Sequence, residues 1–347
     1  MQQTSSNNHS AFTELPIVDI SLLYSNDIVE RQKAASYLDQ AIRDAGFIYL
    51  KGHQIPEHLI LNLKAAVKEY FAQDLDSKQT NYIGLSANHT GYVPQGEEQF
   101  YSEVTSQTDE DLKEAYDIGP ESPSLMARFV NKASVQWPDS QTFKNAVCEY
   151  YAAMLELSKT LFKGFALALN LPEDTFSQHL SLPPSQLRLI HYFDNPNADI
   201  NDSGIGAHTD YEFFTILLPT APGLQVLNGV NEWINVPLLE DCFIINVGDM
   251  MELVSNGQYS ATSHRVRQVK EERYAFPFFC SLDYDTVVAP IGPLNDDSPY
   301  KSVICGDHLL AQTCKTFSYL KKRKARGELD FRENPKNLLS HKTAANE

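Results

Sequence analysis

The chain is poor in several features that would fix a class at once. Five cysteines stand among 347 residues, at 148, 242, 280, 305 and 314, and no Cys-x-x-Cys pair occurs. Scattered thiols in odd number are the pattern of reduced cysteines, not of a disulfide framework. No apolar run approaches the roughly 18 residues that a membrane-spanning helix needs. The first ten residues, Met1 to Ser10, are polar and have no apolar stretch of the kind a secretion signal carries, so a disordered leader is expected, drawn to residue 13. Basic residues are scarce, with 28 Lys and Arg against 45 Asp and Glu and a formal net charge of −17. That balance argues against nucleic acid or an anionic membrane as partner. The one basic cluster, Lys321, Lys322, Arg323, Lys324 and Arg326, reads as the solvated end of a terminal helix. Gly204-Ile205-Gly206 lacks the third glycine and following helix of a dinucleotide fingerprint. The expectation is a cytoplasmic protein, monomeric or weakly oligomeric, that acts on a small molecule.

What the chain does contain is His208-Thr209-Asp210, with His264 downstream. Successive side chains of a strand point to opposite faces, so His208 and Asp210 share one face and Thr209 points away. Two ligands from one strand and a third from a distant strand can occupy one face of a metal octahedron. Other positions then stay open for substrate and dioxygen, as in non-haem iron(II) sites. His-x-Asp alone is a weak signal in a chain with 10 histidines. A structural zinc site is one competing reading, but it ordinarily closes with four protein ligands, often thiolates, and no cysteine lies near these three. Unligated core histidines are the other.

The pattern around the triad alternates between helix and strand. Strands are expected at 16–20 and 47–50, with helical spacing after Glu30 and over 59–71. The stretch 84–98, punctuated by Gly91, Pro94 and Gly96, reads as a loop. A long amphipathic helix is expected over 139–171, its stripe running Phe143, Val147, Tyr150, Met154, Leu157, Leu161, Phe165 and Leu169. Between 186 and 282 short strands follow one another, including a hairpin at 224–227 and 232–236 and strands at 242–247 and 274–282. A loop at 296–300 precedes a terminal helix from Asp307. The fold class this implies is a mostly β core with helices, a jelly-roll barrel with a site in its mouth. The boundaries drawn are a leader (1–13), an N-terminal region with scaffold helices (14–183), the jelly-roll core (184–290), and a C-terminal helix and tail (291–347).

With these landmarks in order, the chain resembles the 2-oxoglutarate/Fe(II)-dependent dioxygenases of the isopenicillin N synthase-like family. The resemblance runs through Leu15-Pro16-Ile17-Val18-Asp19-Ile20, Gly46-Phe47-Ile48-Tyr49-Leu50 and Gly52-His53-Gln54-Ile55-Pro56. It continues in Gly91-Tyr92-Val93-Pro94, Lys113-Glu114, Trp137-Pro138, Gly223-Leu224-Gln225-Val226, Asn246-Val247-Gly248-Asp249 and Arg273-Tyr274-Ala275. It implies a double-stranded β-helix with a helical N-terminal region and a C-terminal helix. It implies Fe(II) held by His208, Asp210 and His264, with 2-oxoglutarate and dioxygen as co-substrates. Arg273 would take the far carboxylate of 2-oxoglutarate, since a guanidinium matches a carboxylate through two parallel hydrogen bonds. Tyr192 matches a family tyrosine that helps it. The family usually has serine where this chain has Ala275, which removes one neutral hydrogen bond worth about 1 kcal/mol. The implied reaction is hydroxylation or desaturation of a small organic substrate with release of succinate and carbon dioxide.

The pocket is read more loosely. Tyr92, Glu97, Glu98, His191, Tyr211 and Phe278 are the candidate wall, with Phe213 near them. For the two glutamates the plainer reading is solvated charge; for His191 it is a satisfied core histidine. The loop Gly91–Glu98 also resembles that of the bacterial ethylene-forming enzymes, in which an acidic residue there holds the guanidinium of arginine. His191 stands where that group has arginine, so ethylene formation is the alternative rather than the first expectation. A metal-binding jelly roll without catalysis is a more distant one.

Overall fold

The structure, a computed structural model, describes residues 11–99, 113–120, 136–197, 203–268, 270–291, 298–329 and 331. Two sheets face each other around the site. The larger has eight strands in the order Ile17–Asp19, Phe47–Lys51, Phe243–Val247, Phe214–Pro219, Arg273–Cys280, Gln186–Tyr192, Lys113–Ile118 and Gly91–Val93. The smaller has four, in the order Ser203–His208, His264–Arg267, Leu224–Leu227 and Trp233–Asn235. Most pairings are antiparallel, and six of the ten in these two sheets join strands that are not consecutive in the chain, the crossovers expected of a jelly roll.

The outer face of the larger sheet is covered by the helix Gln141–Ala168. Its N-terminus is capped by Ser140, whose hydroxyl accepts from the Phe143 N–H at 3.3 Å. Its apolar stripe meets aromatic rings of the sheet: Phe162 and Phe165 lie against Phe214 at 4.8 and 5.1 Å, and Tyr151 against Phe278 at 5.2 Å. Helices Ile28–Ala45 and Glu57–Phe71 pack on the same long helix. Gly46 ends the first of them with φ 67, a left-handed turn that suits glycine and delivers the chain straight into strand Phe47–Lys51.

Two local expectations are corrected. The stretch 84–98 is not all loop, because Gly91–Val93 pairs with Lys113–Ile118 as an edge strand. The terminal helix begins earlier and is not continuous: Cys305–Thr316 and Ser318–Ala325 are separated by Phe317, which is extended (φ −88, ψ 124). That break has a cause. Phe317 pairs with Glu98 in an isolated bridge, the Gln99 N–H donating to the Thr316 carbonyl and the Ser318 N–H to the Glu97 carbonyl, both at 3.0 Å. Of the expected loop at 296–300, residues 298–300 are described and belong to neither helix nor strand, and the leader through residue 10 lies outside the described residues. Among the described residues no helix is long and apolar enough to cross a membrane.

Candidate metal centre and substrate pocket

The three expected ligands come together at the mouth of the barrel. Donor atoms of His208, Asp210 and His264 all lie within 4.8 Å of one another. His208 ends its strand and His264 begins the next, and the two are directly paired in antiparallel register. Each ring is set by its other nitrogen: His208 Nδ1 is 2.8 Å from the Gly206 carbonyl and His264 Nδ1 is 3.1 Å from that of Thr262. A carbonyl only accepts, so Nδ1 carries the proton and Nε2 presents a lone pair inward. The Nε2 atoms sit 3.8 and 3.6 Å from Asp210 Oδ1. Asp210 Oδ2 is occupied by the Thr215 hydroxyl at 2.5 Å and the Asn246 amide at 2.7 Å, which leaves Oδ1 facing the histidines. Two neutral nitrogens and one carboxylate oxygen, oriented from behind, are a donor set that fits iron(II). Burial, and then the neighbouring His264, lowers His208 to about 4, favouring the neutral ligand form. Burial would raise Asp210, but the facing His264, and then His208 and the Asn246 amide, hold it far below the usual carboxylate range.

The turn at Asn246-Val247-Gly248-Asp249 explains that landmark. Gly248 donates its N–H to the Phe213 carbonyl and Asp249 donates to that of Asp210, both at 2.9 Å. A Cβ on Gly248 would stand 2.3 Å from the Glu212 carbonyl oxygen and 2.9 Å from that of Asp210, so only glycine lets the backbones approach this closely.

Arg273 sits across the cavity on the larger sheet, 1% exposed, with its guanidinium 4.5 Å over the ring of its cross-strand partner Tyr192. Its Nε donates to the Ala221 carbonyl at 3.1 Å, while Nη1 is buried with no partner among the described residues. An orphaned guanidinium nitrogen costs free energy unless an acceptor arrives. It fits the far carboxylate of 2-oxoglutarate. Ala275 lines the same wall and offers no hydroxyl.

Strand alternation sorts the remaining candidates. Gln186, Arg188, Ile190 and Tyr192 line the cavity, so His191 lies on the other face. There it pairs with Glu114 at 2.8 Å and Glu272 at 3.1 Å and stacks on Tyr274. Tyr92 joins that group, its hydroxyl 2.6 Å from Glu114. Arg273, Ala275, Pro277 and Phe279 face inward, which turns Phe278 out against Tyr151. Phe213 likewise packs in the core against Phe162. Glu97 is a staple, accepting from the Tyr82 hydroxyl and the Tyr319 N–H, both at 2.7 Å. Of the proposed wall, Glu98 and Tyr211 do line the cavity. Neither glutamate is solvated surface.

Glu98 is nevertheless already paired. Arg188 and Lys113 hold it down to about 2 against the opposing effect of burial. Other residues line the cavity that the sequence reading does not assign to the pocket: Arg188, Lys113, Glu212, Phe317 and His89. Burial, and then the charge of Asp210, raises Glu212 to about 8 against the weaker opposing effects of a backbone N–H and of Arg188. His89 has φ 59 and is fully buried, with Nδ1 bonded to the Tyr319 hydroxyl and Nε2 without a partner among the described residues. Burial lowers it to about 3, so its ring is neutral. Arg188 and Phe279 follow from strand parity once Tyr192 and Arg273 are placed. His89 and Phe317 carry no such signal.

Comparisons with known proteins agree with this geometry. The sequence model of the 2OG-Fe(II) oxygenase superfamily matches residues 184–282, and that of the non-haem dioxygenase in morphine synthesis N-terminal matches residues 15–140. Homoarginine-6-hydroxylase 2-ODD-C23 of Glycine max is 31% identical over 330 residues, covering 88% of this chain and 98% of that protein. The 2-oxoglutarate-Fe(II) type oxidoreductase hxnY of Emericella nidulans is 31% identical over 284 residues, 79% of this chain and 81% of that one. Among solved structures, a full-length Neurospora crassa protein in complex with alpha-KG and thymine superposes with a TM-score of 0.77 at 21% identity, over 88% of this chain and 98% of that chain. A 2OG-Fe(II) oxygenase family protein from Caulobacter crescentus gives 0.74 at 25% identity, over 88% of this chain and 99% of that one. The chain belongs to the 2OG-Fe(II) oxygenase superfamily and is a 2-oxoglutarate-dependent dioxygenase that uses iron(II) and 2-oxoglutarate.

Proposed function

We propose that this enzyme hydroxylates a carbon of a small polar molecule, with His208, Asp210 and His264 as the iron ligands and Arg273 and Tyr192 as the 2-oxoglutarate site. In the overall reaction one oxygen atom of dioxygen enters a C–H bond of the substrate. The other enters succinate as 2-oxoglutarate loses carbon dioxide. The bound iron supplies the oxygen activation. The observation that carries the reading is the pairing, in one cavity, of three inward donor atoms with a buried guanidinium whose Nη1 has no acceptor among the described residues.

The protein's own part is orientation and exclusion of water. Arg273 and Tyr192 fix one end of the co-substrate, and Thr215 and Asn246 keep Asp210 turned to the metal. Phe47, Ile205, Leu224 and Val266 supply apolar wall around the reacting centre. The names of the relatives suggest where to begin with substrates: homoarginine for the Glycine max protein and thymine for the Neurospora crassa one. The net charge of −17 and the free cysteines support a cytoplasmic protein that is a monomer or weak oligomer and binds no nucleic acid.

The test is succinate release with Fe(II), 2-oxoglutarate and dioxygen across L-homoarginine, L-arginine, L-lysine, agmatine, L-citrulline and thymine, with mass detection of a product heavier by one oxygen atom. Succinate formed in step with such a product supports hydroxylation. Failure to bind 2-oxoglutarate in the iron-loaded enzyme would refute the co-substrate assignment.

A further inference from the structure

Two glutamates line the cavity, and their surroundings are opposite. Arg188 Nη1 reaches both oxygens of Glu98, at 2.8 and 3.0 Å, and Lys113 Nζ lies 2.9 Å from one of them. Arg188 turns its other edge to Asp117, with bonds of 2.7 and 2.9 Å. Two cations thus face two anions in a chain of alternating sign, and Glu98 has no charge left to offer a ligand. Glu212 has no such company. It lines the cavity, one oxygen accepts from the Tyr211 N–H at 3.1 Å, and no cation among the described residues is within salt-bridge distance.

We propose that Glu212 is the specificity-determining acid of this pocket and binds a cationic nitrogen of the substrate, an ammonium, amidinium or guanidinium group. This rests on the iron and 2-oxoglutarate assignment above. Under it, iron(II) and Arg273 together match Asp210 and the two carboxylates of 2-oxoglutarate. His89 is neutral, and the Glu98 group is balanced within itself. Among the described residues Glu212 is then the one carboxyl group lining the cavity with no cation at salt-bridge distance, and a cationic nitrogen of the substrate supplies that partner. A carboxylate in a partly dry cavity is stabilised by an opposite charge and by little else.

The position is also fixed. The Glu212 carbonyl accepts from the Met250 N–H at 3.3 Å, in the turn whose Asp249 holds the Asp210 carbonyl. A cation on Glu212 is therefore held at a set distance from the metal ligand two residues away. Such a contact selects which carbon of a flexible substrate meets the oxidant, as well as which substrate enters.

The experiment is anaerobic calorimetry on the full chain charged with Fe(II) and 2-oxoglutarate. The cationic probes are L-arginine, L-homoarginine, L-lysine and agmatine; the neutral ones are L-citrulline and thymine. The parent should bind at least one cation tenfold or more tightly than either neutral probe. Glu212→Gln, which keeps the shape, should weaken that cation at least tenfold, and Glu212→Asp should recover part of the loss. The parent's own ranking of the probes tests the idea even if a variant folds poorly. Binding of no cation, preference for a neutral probe, or full cation affinity in Glu212→Gln would overturn it. The absorption band of the anaerobic iron–2-oxoglutarate complex is read in the same samples. Loss of the band with cation binding intact would count against the co-substrate site and leave Glu212 standing; a normal band with no cation bound would do the reverse.

Discussion

His264 stands directly across from His208 on adjacent antiparallel strands, with ring centroids 4.3 Å apart. The proposed metal site is thus set by strand register, and a one-residue slip of either strand would turn its ring out of the cavity. Alanine at His208, Asp210 or His264 should abolish iron retention and turnover while leaving a folded barrel. Iron content by elemental analysis and the thermal midpoint decide it. Full iron occupancy in any two of the three variants would end the assignment.

Arg273→Lys keeps the charge and loses the planar fork, so affinity for 2-oxoglutarate should fall about tenfold, or ~1.4 kcal/mol. Titration of the iron-loaded enzyme with 2-oxoglutarate measures it. An unchanged affinity would show that another residue holds the co-substrate. Ala275→Ser, on the same wall, should leave affinity equal or slightly improved.

His191 belongs to a buried polar group with Glu114, Lys78 and Tyr92 behind the sheet. His191→Ala should therefore cost stability, on the order of 1–3 kcal/mol for partners left unpaired. It should change kcat/KM for the best substrate by less than about threefold. Chemical denaturation and steady-state kinetics together separate this from a pocket role, which would show as a large rise in KM.

Glu98 has its carboxyl lowered from 4.5 to about 2 in the folded protein. A lowered folded value means that stability is contributed fully above about 4.5 and is lost as pH falls toward 2. Glu98→Gln should be clearly less stable than the parent at pH 7, since Lys113 and Arg188 lose an anion. The gap in thermal midpoint should narrow steadily below pH 4.5. A gap that stayed constant down to pH 3 would mean that Glu98 is not ionised through its cations.

Gly248→Ala places a methyl group 2.3 Å from the Glu212 carbonyl oxygen. The backbone must give way, and Asp210 moves with it. Weaker iron binding and a lower thermal midpoint are expected, with 2-oxoglutarate affinity in the iron-loaded protein less affected than by Arg273→Lys. Parent-like iron affinity would show that the turn has slack.

The triad and Arg273 are legible because ligand chemistry and a period of two are both written locally. The same period rejects His191 and Phe278, since each is one residue out of step with a neighbour that faces inward, Tyr192 or Phe279. Lys113-Glu114 shows the point most plainly: it is legible as a landmark, yet its lysine faces the cavity and its glutamate the opposite side. Glu98 is only a pocket candidate in the sequence, with solvated charge the plainer reading, because its two cations, Lys113 and Arg188, come from strands elsewhere in the chain. Glu212 carries a parity hint, two residues after Asp210, but nothing local tells an unpaired acid from a paired one. The break at Phe317 is hidden for a similar reason. It is made by Glu98, a partner far away in the chain, not by a proline or glycine in the helix.

That distant pairing of Glu98 with Phe317 divides the cavity into two parts of different construction. The oxidising half is drawn from the barrel strands, where any drift in register destroys the metal site. The far part is contributed by Glu98 of the edge loop and by Thr313, Thr316 and Phe317 at the end of the first terminal helix, held together by two flanking backbone hydrogen bonds and the Glu97 staple rather than by a sheet. Exchange of the 305–320 segment between relatives should therefore alter which molecules are admitted without disturbing the chemistry performed on them. In such an architecture the tail of the chain shapes what is admitted, while the charge that the pocket selects stays with Glu212, in the turn beside the oxidising centre.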